Sequence, residues 1–401
     1  MVVDGVAMLK VSFKTLLAKC WRDPVWRGVL FQNGLILVIV LIGYQIIQNT
    51  LHNLETRGIS TGFDFLSQSA GFGIIQTLIE YDESFSFGRT FVVGFLNTLL
   101  VSSFGVVLAT FLGFLVGIAS LSSNWLLARL AGAYVECFRN IPLLLQIFFW
   151  YFAVLGVLPS PRESLVWGDS LFLNVRGIYL PKPELSGDTS IFFGAFVFVL
   201  LVLVALIWVG RRYKRQSGRT LPAMKTLSVV SLITIPLIAG WLSGVQLNWD
   251  LPVQGRFNLS GGLTLIPELV ALLLALSIYT AAFIAEVVRA GIQSVSSGQR
   301  EAAAALGLRQ GRILKLVVIP QAMRVIIPPM TNQYLNLIKN SSLATAIGYP
   351  DLVNVFAGTT LNQTGQAVEV IAMTMAVYLL ISLTVSLFMN LYNRYTAMVE
   401  R

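Results

Sequence analysis

Long uninterrupted runs of apolar residues alternate with short polar segments along most of this 401-residue chain. Eight of the runs are long enough to cross a hydrocarbon layer of about 30 Å as a helix of roughly 20 residues. They lie near residues 28–48, 90–118, 138–158, 191–210, 226–245, 264–287, 324–347 and 367–393. Because the runs are continuous rather than alternating, they predict helices and not the strands of a barrel. We therefore expect an all-α membrane protein with about eight transmembrane helices.

The composition supports this expectation. The chain is 56% hydrophobic and only 12% charged, and its mean hydropathy is +0.75, whereas an average soluble domain is about 25% charged. The net charge of +9 is better explained by membrane topology than by nucleic-acid binding, because Lys and Arg accumulate in cytoplasmic loops of membrane proteins. We expect lipid and no nucleic acid as a partner.

The basic residues also predict the orientation of the chain. If the N-terminus is cytoplasmic, 20 of the 28 Lys and Arg residues fall on the cytoplasmic side and six on the outer side. The excess of Lys and Arg inside fixes the orientation. Both termini are then predicted to be cytoplasmic, as is the polar segment 288–323, while the segments 159–190 and 246–262 are predicted to be ordinary outer connections.

Residues that carry chemistry are few. Cys20 and Cys137 lie far apart, and the single histidine, His52, has no partner set for a catalytic or metal site. The chain contains no GxxxxGK(S/T) loop for nucleotide phosphates. We therefore expect neither a cofactor nor a metal, and no enzymatic activity in this chain.

One soluble-looking passage, SSGQREAAAALGLRQGRILKLVVIPQ at residues 296–321, interrupts the apolar pattern near the C-terminal end. We call it the elbow. Ser296 and Gln299 have the spacing of a capping box, and Ala302 to Ala305 favour a helix that Gly307 would end. A second helix would follow, which Pro320 would halt or bend. From these residues alone, the elbow fits either a groove on another protein or a solvated helix that links two spans.

The seventh apolar run is unusually polar. Asn332, Asn336, Lys339 and Asn340 have the spacing of one helix face, and Ser341 and Ser342 follow. A membrane-embedded Lys usually faces an interior or a water-filled cavity. The stripe predicts a solute pathway in which Lys339 meets a substrate carboxylate. The alternatives are a contact between helices through amides and hydroxyls, or a Lys that reaches to the interface.

Several of these segments together resemble the polar amino-acid permeases of ABC importers, the family of histidine, glutamine and glutamate importers. The elbow is similar to the coupling loop of that family, with Glu301-Ala302-Ala303, then Gly307, then Ile319-Pro320. The resemblance is also carried by ECFRNIPLLLQIFFWYF at 136–152, YTAAFIAEVVRAGIQSVSSGQREAAAALGLRQ at 279–310 and NLIKNSSLATAIG at 336–348. The matching parts run from about 90 to 158 and from 264 to 393.

The resemblance implies a fold and a division of the chain. The type I importer core has five helices, so 90–393 would be the permease domain and 288–323 its cytoplasmic coupling loop. Residues 159–262 would be an insertion with two extra transmembrane helices. Residues 1–89 would add a cytoplasmic segment, one more helix and an outer loop. These additions are similar to those of the general L-amino-acid or glutamate/glutamine/aspartate/asparagine branch.

The resemblance also implies a function and partners. The chain would be the permease subunit of an ATP-driven importer of polar L-amino acids in a bacterial inner membrane. It would work with an ATP-binding subunit dimer, a second permease subunit and a periplasmic amino-acid-binding protein. Glu301, Ala302, Ala303, Gly307 and Pro320 would couple it to the ATPase.

Two other functions compete with this one. An ion-gradient-driven secondary transporter could carry the same amino acids, but such proteins often have inverted repeats and buried carboxylates, for which the sequence gives little sign. A membrane-embedded enzyme is disfavoured by the lack of a catalytic motif.

Overall fold

The computed structural model describes residues 24–56, 61–168, 170–186, 189–217, 222–255 and 258–396. The two chain ends, on which the prediction of cytoplasmic termini falls, lie outside these residues. Within them the chain is mainly helical, as the sequence predicts. The longer helices are α1 (Pro24–Thr56), α2 (Phe87–Ala119), α3 (Trp125–Asn140), α5 (Thr189–Ser217), α6 (Pro222–Leu242), α7 (Pro267–Gln293), α10 (Ile319–Asn340) and α12 (Ala367–Thr396).

Shorter helices connect them. These are α4 (Leu143–Phe148), α8 (Ser297–Ala305), α9 (Gln310–Ile313) and α11 (Leu361–Thr364). Wider π-helical turns extend α4 over Phe149–Leu155, join α9 to α10 over Leu314–Val318 and precede α11 over Val353–Thr360. Tighter 3₁₀ turns cover Asp64–Ser67, Pro161–Glu163 and Ser341–Ile347.

The described helices are consistent with the roughly eight predicted spans. Five segments are long and apolar enough to cross a membrane, and they contain α1, α2, α7, α10 and α12. The bent pair α3 and α4 makes a sixth candidate, while α5 and α6 contain shorter apolar stretches at Val197–Gly210 and Val230–Trp241. The large apolar side chains of α1, among them Leu35, Ile39 and Ile46, are exposed, as expected for a helix surrounded by lipid.

The third span differs from its prediction. A continuous helix was expected over 138–158, but the chain breaks after Asn140 and the axes of α3 and α4 differ by 105°. Pro142 has no N–H to continue the helix. The Nε2 atom of Gln146 donates hydrogen bonds to the carbonyl oxygens of Phe138 and Ile141, both at 3.0 Å. The side chain of Gln146 therefore satisfies backbone groups that the break leaves free.

The core of the membrane part is the contact between α2 and α7. Small residues of α2, among them Gly105, Ala109, Gly113 and Gly117, recur at every fourth position and are buried. Such residues allow helix backbones to approach closely in a membrane. The main cluster of buried apolar residues joins α2, α7 and α10 and extends to Ala303 and Ile313 of the elbow.

Residues 61–86, which we call the strap, lie between α1 and α2 in the sequence. The strap is held at its start by a hydrogen bond from the N–H of Gly62 to Oε1 of Glu369 at 2.8 Å. Further along, Asn97 Nδ2 donates to the carbonyl oxygens of Gln76 and Pro350, both at 2.9 Å. These bonds fasten the strap to α2 and to the start of α12.

The predicted insertion, residues 159–262, and the residues directly after it contain strands that the sequence did not predict. The strands are β1 (Leu165–Trp167), β2 (Leu171–Asn174), β3 (Gly177–Leu180), β4 (Lys182–Ser186), β5 (Gln246–Asp250), β6 (Val253–Gln254), β7 (Leu259–Ser260) and β8 (Leu263–Leu265). They form an antiparallel sheet in the order β1-β2-β3-β8 and two pairs, β4-β5 and β6-β7. The segments 159–190 and 246–262 are therefore folded structure and not simple connections.

Candidate functional site

The elbow begins with the short helix α8. Ser296 is its N-cap residue, as predicted, with extended backbone angles. The capping box does not form, because no side-chain hydrogen bond caps the helix. Instead the N–H of Gln299 donates to the carbonyl oxygen of Ser296 at 3.2 Å. Helix α8 therefore forms without a capping side chain, and its alanines supply the helix propensity.

Gly307 ends α8 in the left-handed conformation, as predicted, with φ +74°. Its N–H donates to the carbonyl oxygen of Ala304 at 2.9 Å, and the N–H of Leu308 donates to that of Ala303 at 3.3 Å. This pair of bonds is the Schellman motif, which satisfies carbonyl groups at a helix end. Glycine is required here because an L side chain is strained at this φ.

The elbow residues differ in exposure. Glu301 and Ala302 are exposed, as is Gly307, so they are available to a partner. Ala303 is only 5% exposed and belongs to the main apolar cluster, where it packs the elbow against the rest of the protein. Leu306, which the sequence analysis did not single out, is 82% exposed at the end of α8. A large apolar side chain exposed beside a helix end is a feature of a contact surface.

Pro320 does not halt the second helix of the elbow. The chain passes from α9 through the π-helical turn Leu314–Val318 directly into α10, in which Pro320 stands within the first two positions. Pro320 has no N–H to donate, and it follows directly after the π-helical turn, where the backbone hydrogen-bond pattern changes. The elbow is thereby joined to α10 by one helical segment, Gln310–Ile347.

The polar stripe lies along α10, downstream of the elbow. Asn332, Asn336 and Lys339 are exposed and Asn340 is half-buried. Ser341 is fully buried, and its Oγ donates to the carbonyl oxygen of Ile338 at 2.7 Å. The Ser342 hydroxyl donates to the carbonyl oxygen of Lys339, also at 2.7 Å. The two serines therefore close the end of α10, while the amides and the ammonium group face outward.

An open cavity of about 380 Å³ lies at the end of this stripe. Its walls come from α10, α12 and the turns between them, and are formed by Lys339, Ser342, Val353, Thr374, Met375 and Tyr378. A volume of this size is within the usual range for small-molecule sites. One cation, two hydroxyl-bearing residues and a phenol stand among apolar groups, so the cavity suits a small solute with a carboxylate.

A buried acid that no motif in the sequence marks adjoins the cavity. Asp351 is 1% exposed in the connection between α10 and α12. Its Oδ1 accepts a hydrogen bond from the N–H of Asn354 at 2.8 Å, and its Oδ2 accepts one from the Tyr378 hydroxyl at 3.3 Å. Burial raises the pKa of Asp351 to about 7. Since Tyr378 also lines the cavity, Asp351 positions part of its wall.

Glu286 and Arg289, three residues apart in the last turns of α7, form an ion pair, with Arg289 Nε donating to Glu286 Oε2 at 3.1 Å. The guanidinium of Arg139 lies 5.2 Å from the ring centre of Phe283. Within the described part of the chain no group of three or more His, Cys, Asp or Glu residues is placed to hold a metal ion.

Comparison with known proteins identifies the family. Residues 105–397 match the family described as "Binding-protein-dependent transport system inner membrane component". The chain is 54% identical over 384 residues to YhdX of Escherichia coli, which is assigned as an amino-acid ABC transporter permease, covering 95% of this chain and 97% of that protein.

Two further relatives are similar over nearly their whole length. The general L-amino acid transport system permease protein AapQ of Rhizobium johnstonii is 48% identical, with 94% of each chain covered. The glutamate/glutamine/aspartate/asparagine transport system permease protein BztB of Rhodobacter capsulatus is 40% identical, covering 94% of this chain and 96% of that protein. The chain therefore belongs to the family of binding-protein-dependent transport system inner membrane components.

Proposed function

We propose that this chain is the permease subunit of an ATP-driven importer of polar L-amino acids. The single observation that carries the proposal is the extent of the likeness to amino-acid permeases, which is 54% identity over 95% of the chain for one relative and 48% over 94% for another. Named substrates of a third relative, BztB, are glutamate, glutamine, aspartate and asparagine. The cavity beside Lys339 suits the carboxylate that all L-amino acids carry.

The elbow is the proposed contact with a separate ATPase subunit. Glu301, Ala302 and Leu306 present an exposed surface, and Gly307 gives it its shape. Ala303, which is buried, acts by packing α8 onto the membrane part. Because one helical segment leads from the elbow through Pro320 to Lys339, a movement of the elbow is carried mechanically to the cavity.

The polar stripe is proposed as one wall of the solute pathway. Asn332, Asn336 and Lys339 are exposed on α10, although unpartnered polar groups are costly in hydrocarbon. A second permease subunit facing this stripe would enclose the pathway and remove the stripe from lipid. Lys339 would then bind the substrate carboxylate, with Asn340 and Ser342 at the side; Ser341 is buried and holds the turn.

The orientation follows from the same proposal. The strap and the strands of the insertion would face the periplasm, where a binding protein delivers the amino acid. The elbow would face the cytoplasm with both termini. The proposed permease domain is 90–393, and residues 1–89 precede it. Within the domain, the insertion 159–262 would carry two spanning helices, α5 and α6, and the coupling loop would be 288–323.

The experiment is uptake by proteoliposomes that contain this chain with its proposed ATPase, second permease and binding protein. We expect uptake of a radiolabelled polar L-amino acid only when ATP and the binding protein are both present. Uptake driven by an ion gradient without ATP would instead establish the secondary-transporter alternative. The same vesicles without this chain control for leakage.

A further inference from the structure

The strands β4 and β5 form a two-stranded ribbon that continues the helical hairpin of α5 and α6. Two residues separate the end of β4 at Ser186 from the start of α5 at Thr189. Three residues separate the end of α6 at Leu242 from the start of β5 at Gln246. The ribbon therefore stands directly at one end of the hairpin.

The register of the ribbon sorts its side chains onto two unlike faces. Pro183 pairs with Trp249 and Leu185 pairs with Leu247, and residues that pair directly point to the same side of a sheet. That face is apolar throughout. The opposite face carries only polar or charged residues, namely Lys182, Glu184, Ser186, Gln246, Asn248 and Asp250.

The polar face is internally paired. Lys182 Nζ lies 2.7 Å from Oε1 of Glu184, and the hydrogen bond that Lys182 donates to Glu184 raises the pKa of Lys182. Asn248 Nδ2 donates to the Ser186 hydroxyl across the two strands at 2.9 Å. These exposed groups form a face that is suited to water.

The apolar face has no cover from the described part of the chain. Leu185 is 37% exposed, Leu247 56% and Trp249 58%. Every residue of β4 is exposed, as is every residue of β5 except Asp250. A two-stranded ribbon is marginally stable in water by itself, so an apolar face of this kind requires a partner surface.

The position of the ribbon identifies that partner. At 29 and 21 residues and a rise of about 1.5 Å per residue, α5 and α6 are long enough to cross a bilayer. A ribbon that begins two or three residues beyond two membrane-spanning helices lies at the level of the lipid headgroups. Tryptophan is enriched at that level, and Trp241 in the last turn of α6 is 82% exposed.

We propose that the β4–β5 ribbon lies flat on the outer surface of the membrane, with Pro183, Leu185, Leu247 and Trp249 inserted between lipid headgroups and its polar face toward water. The ribbon thus anchors the α5–α6 hairpin at the bilayer interface. This inference goes beyond the proposed transport function, because it depends on the membrane placement of α5 and α6 and not on the solute.

Spin labels at four consecutive positions test the proposal. Cys20 and Cys137 are first replaced by serine in the full chain, and Q246C, L247C, N248C and W249C are then made one at a time. Each labelled chain is reconstituted into phospholipid nanodiscs with the second permease and the ATPase. Collision rates are measured with oxygen, which concentrates in lipid, and with a water-soluble nickel chelate.

We expect a several-fold higher ratio of oxygen to nickel collisions at positions 247 and 249 than at 246 and 248. Equal ratios at all four positions would overturn the proposal. It would also be overturned if labels at positions 247 and 249 collided with neither reagent, or stopped colliding with both when the binding protein was added. A protein would then cover this face.

Labels at E184C and L185C on the other strand repeat the comparison if a label at position 247 or 249 disturbs the ribbon. The same alternation is expected, with the higher oxygen ratio at position 185. Because the readout is collision and not uptake, a failure of the amino-acid import assay leaves this measurement unaffected, and the two proposals can fail separately.

Discussion

Gly117 of α2 lies against Ala285 of α7 so closely that a Cβ atom on Gly117 would be 2.8 Å from the Ala285 carbonyl oxygen. The same Cβ would be 2.8 Å from Cβ of Val288. Neither neighbour is the flexible end of a long side chain. The contact between α2 and α7 is therefore set by the absence of a side chain at this position.

We predict that Gly117→Ala lowers the free energy of unfolding by about 1–3 kcal/mol, the usual cost of overpacking a core. A Cβ atom added to Gly132 of α3 would meet no neighbouring group of the described chain within 4 Å, so Gly132→Ala is the matched control. It is expected to be neutral or to stabilise by up to about 1 kcal/mol, since alanine favours a helix. Thermal unfolding of both variants in the same nanodiscs measures the difference; equal midpoints would contradict the tight contact.

The left-handed Gly307 gives a second prediction. Gly307→Ala is expected to cost about 1–2 kcal/mol at the end of α8, because its φ of +74° suits glycine. ATP-driven uptake per inserted chain should fall as the elbow loses its shape. Gly298→Ala is the control, since Gly298 lies inside α8 in open space without a positive φ. Uptake that is equally reduced in both variants would contradict a special role for Gly307.

Lys339 is expected to bind the substrate carboxylate. Lys339→Met keeps most of the side-chain length and removes the charge. The substrate concentration that gives half-maximal uptake should rise about ten-fold or more, because a hydrogen bond to a charged group contributes about 1.5–3 kcal/mol. Insertion should not suffer, because a lysine in the membrane is itself costly. Lys315→Met changes an exposed lysine within the elbow that does not line the cavity, and it serves as the control. Unchanged concentration dependence in Lys339→Met would remove Lys339 from the pathway.

Asp351 predicts a dependence of stability on pH. Its folded-state pKa of about 7 lies above the ordinary value of 3.8, so the folded protein holds the proton more tightly than the unfolded chain. The contribution of Asp351 to the free energy of unfolding is fully present below about pH 4 and is lost as the pH rises toward 7. Asp351→Asn removes the titration and keeps an oxygen for the N–H of Asn354. Its unfolding midpoint, measured from pH 5 to 8, should fall less than that of the wild type.

Asp82 on the strap is the control for that pH series. Hydrogen bonds from Ser84 lower the pKa of the exposed Asp82 carboxyl, so its contribution is present above its ordinary pKa and is lost on acidification. Asp82→Asn should therefore leave the slope between pH 5 and 8 unchanged. A slope that Asp351→Asn does not alter would mean that Asp351 does not titrate in this range.

Features that depend on neighbours in the chain were predictable. The Ala-rich run, the position of Ser296 and the glycine at 307 predicted α8 and its left-handed end, because helix propensity and C-capping act over a few residues. The ion pair between Glu286 and Arg289 is local in the same sense, because its partners are three residues apart. The resemblance of the elbow and of 336–348 to amino-acid permeases predicted the family.

Features that depend on residues far apart in the sequence were not predictable. The break at Pro142 was missed because an apolar composition looks the same in a straight and a bent span, and the Gln146 bonds that complete it depend on the fold. The β4–β5 ribbon pairs residues about 60 positions apart, with strands too short for a periodic signal. Asp351 was missed for the same reason, because its hydrogen-bond partner Tyr378 lies 27 residues further along the chain, in α12.

The sequence by itself determined that this chain is a helical membrane protein, which family it belongs to and where its polar elbow lies, because hydropathy and short motifs are local properties. Only the tertiary structure decided that Ala303 is buried while Leu306 is exposed, that Lys339 and Tyr378 line one cavity, and that the insertion carries an amphipathic ribbon. These are consequences of helices and strands packing side by side, and the packing brings together residues whose separation along the chain carries no signal.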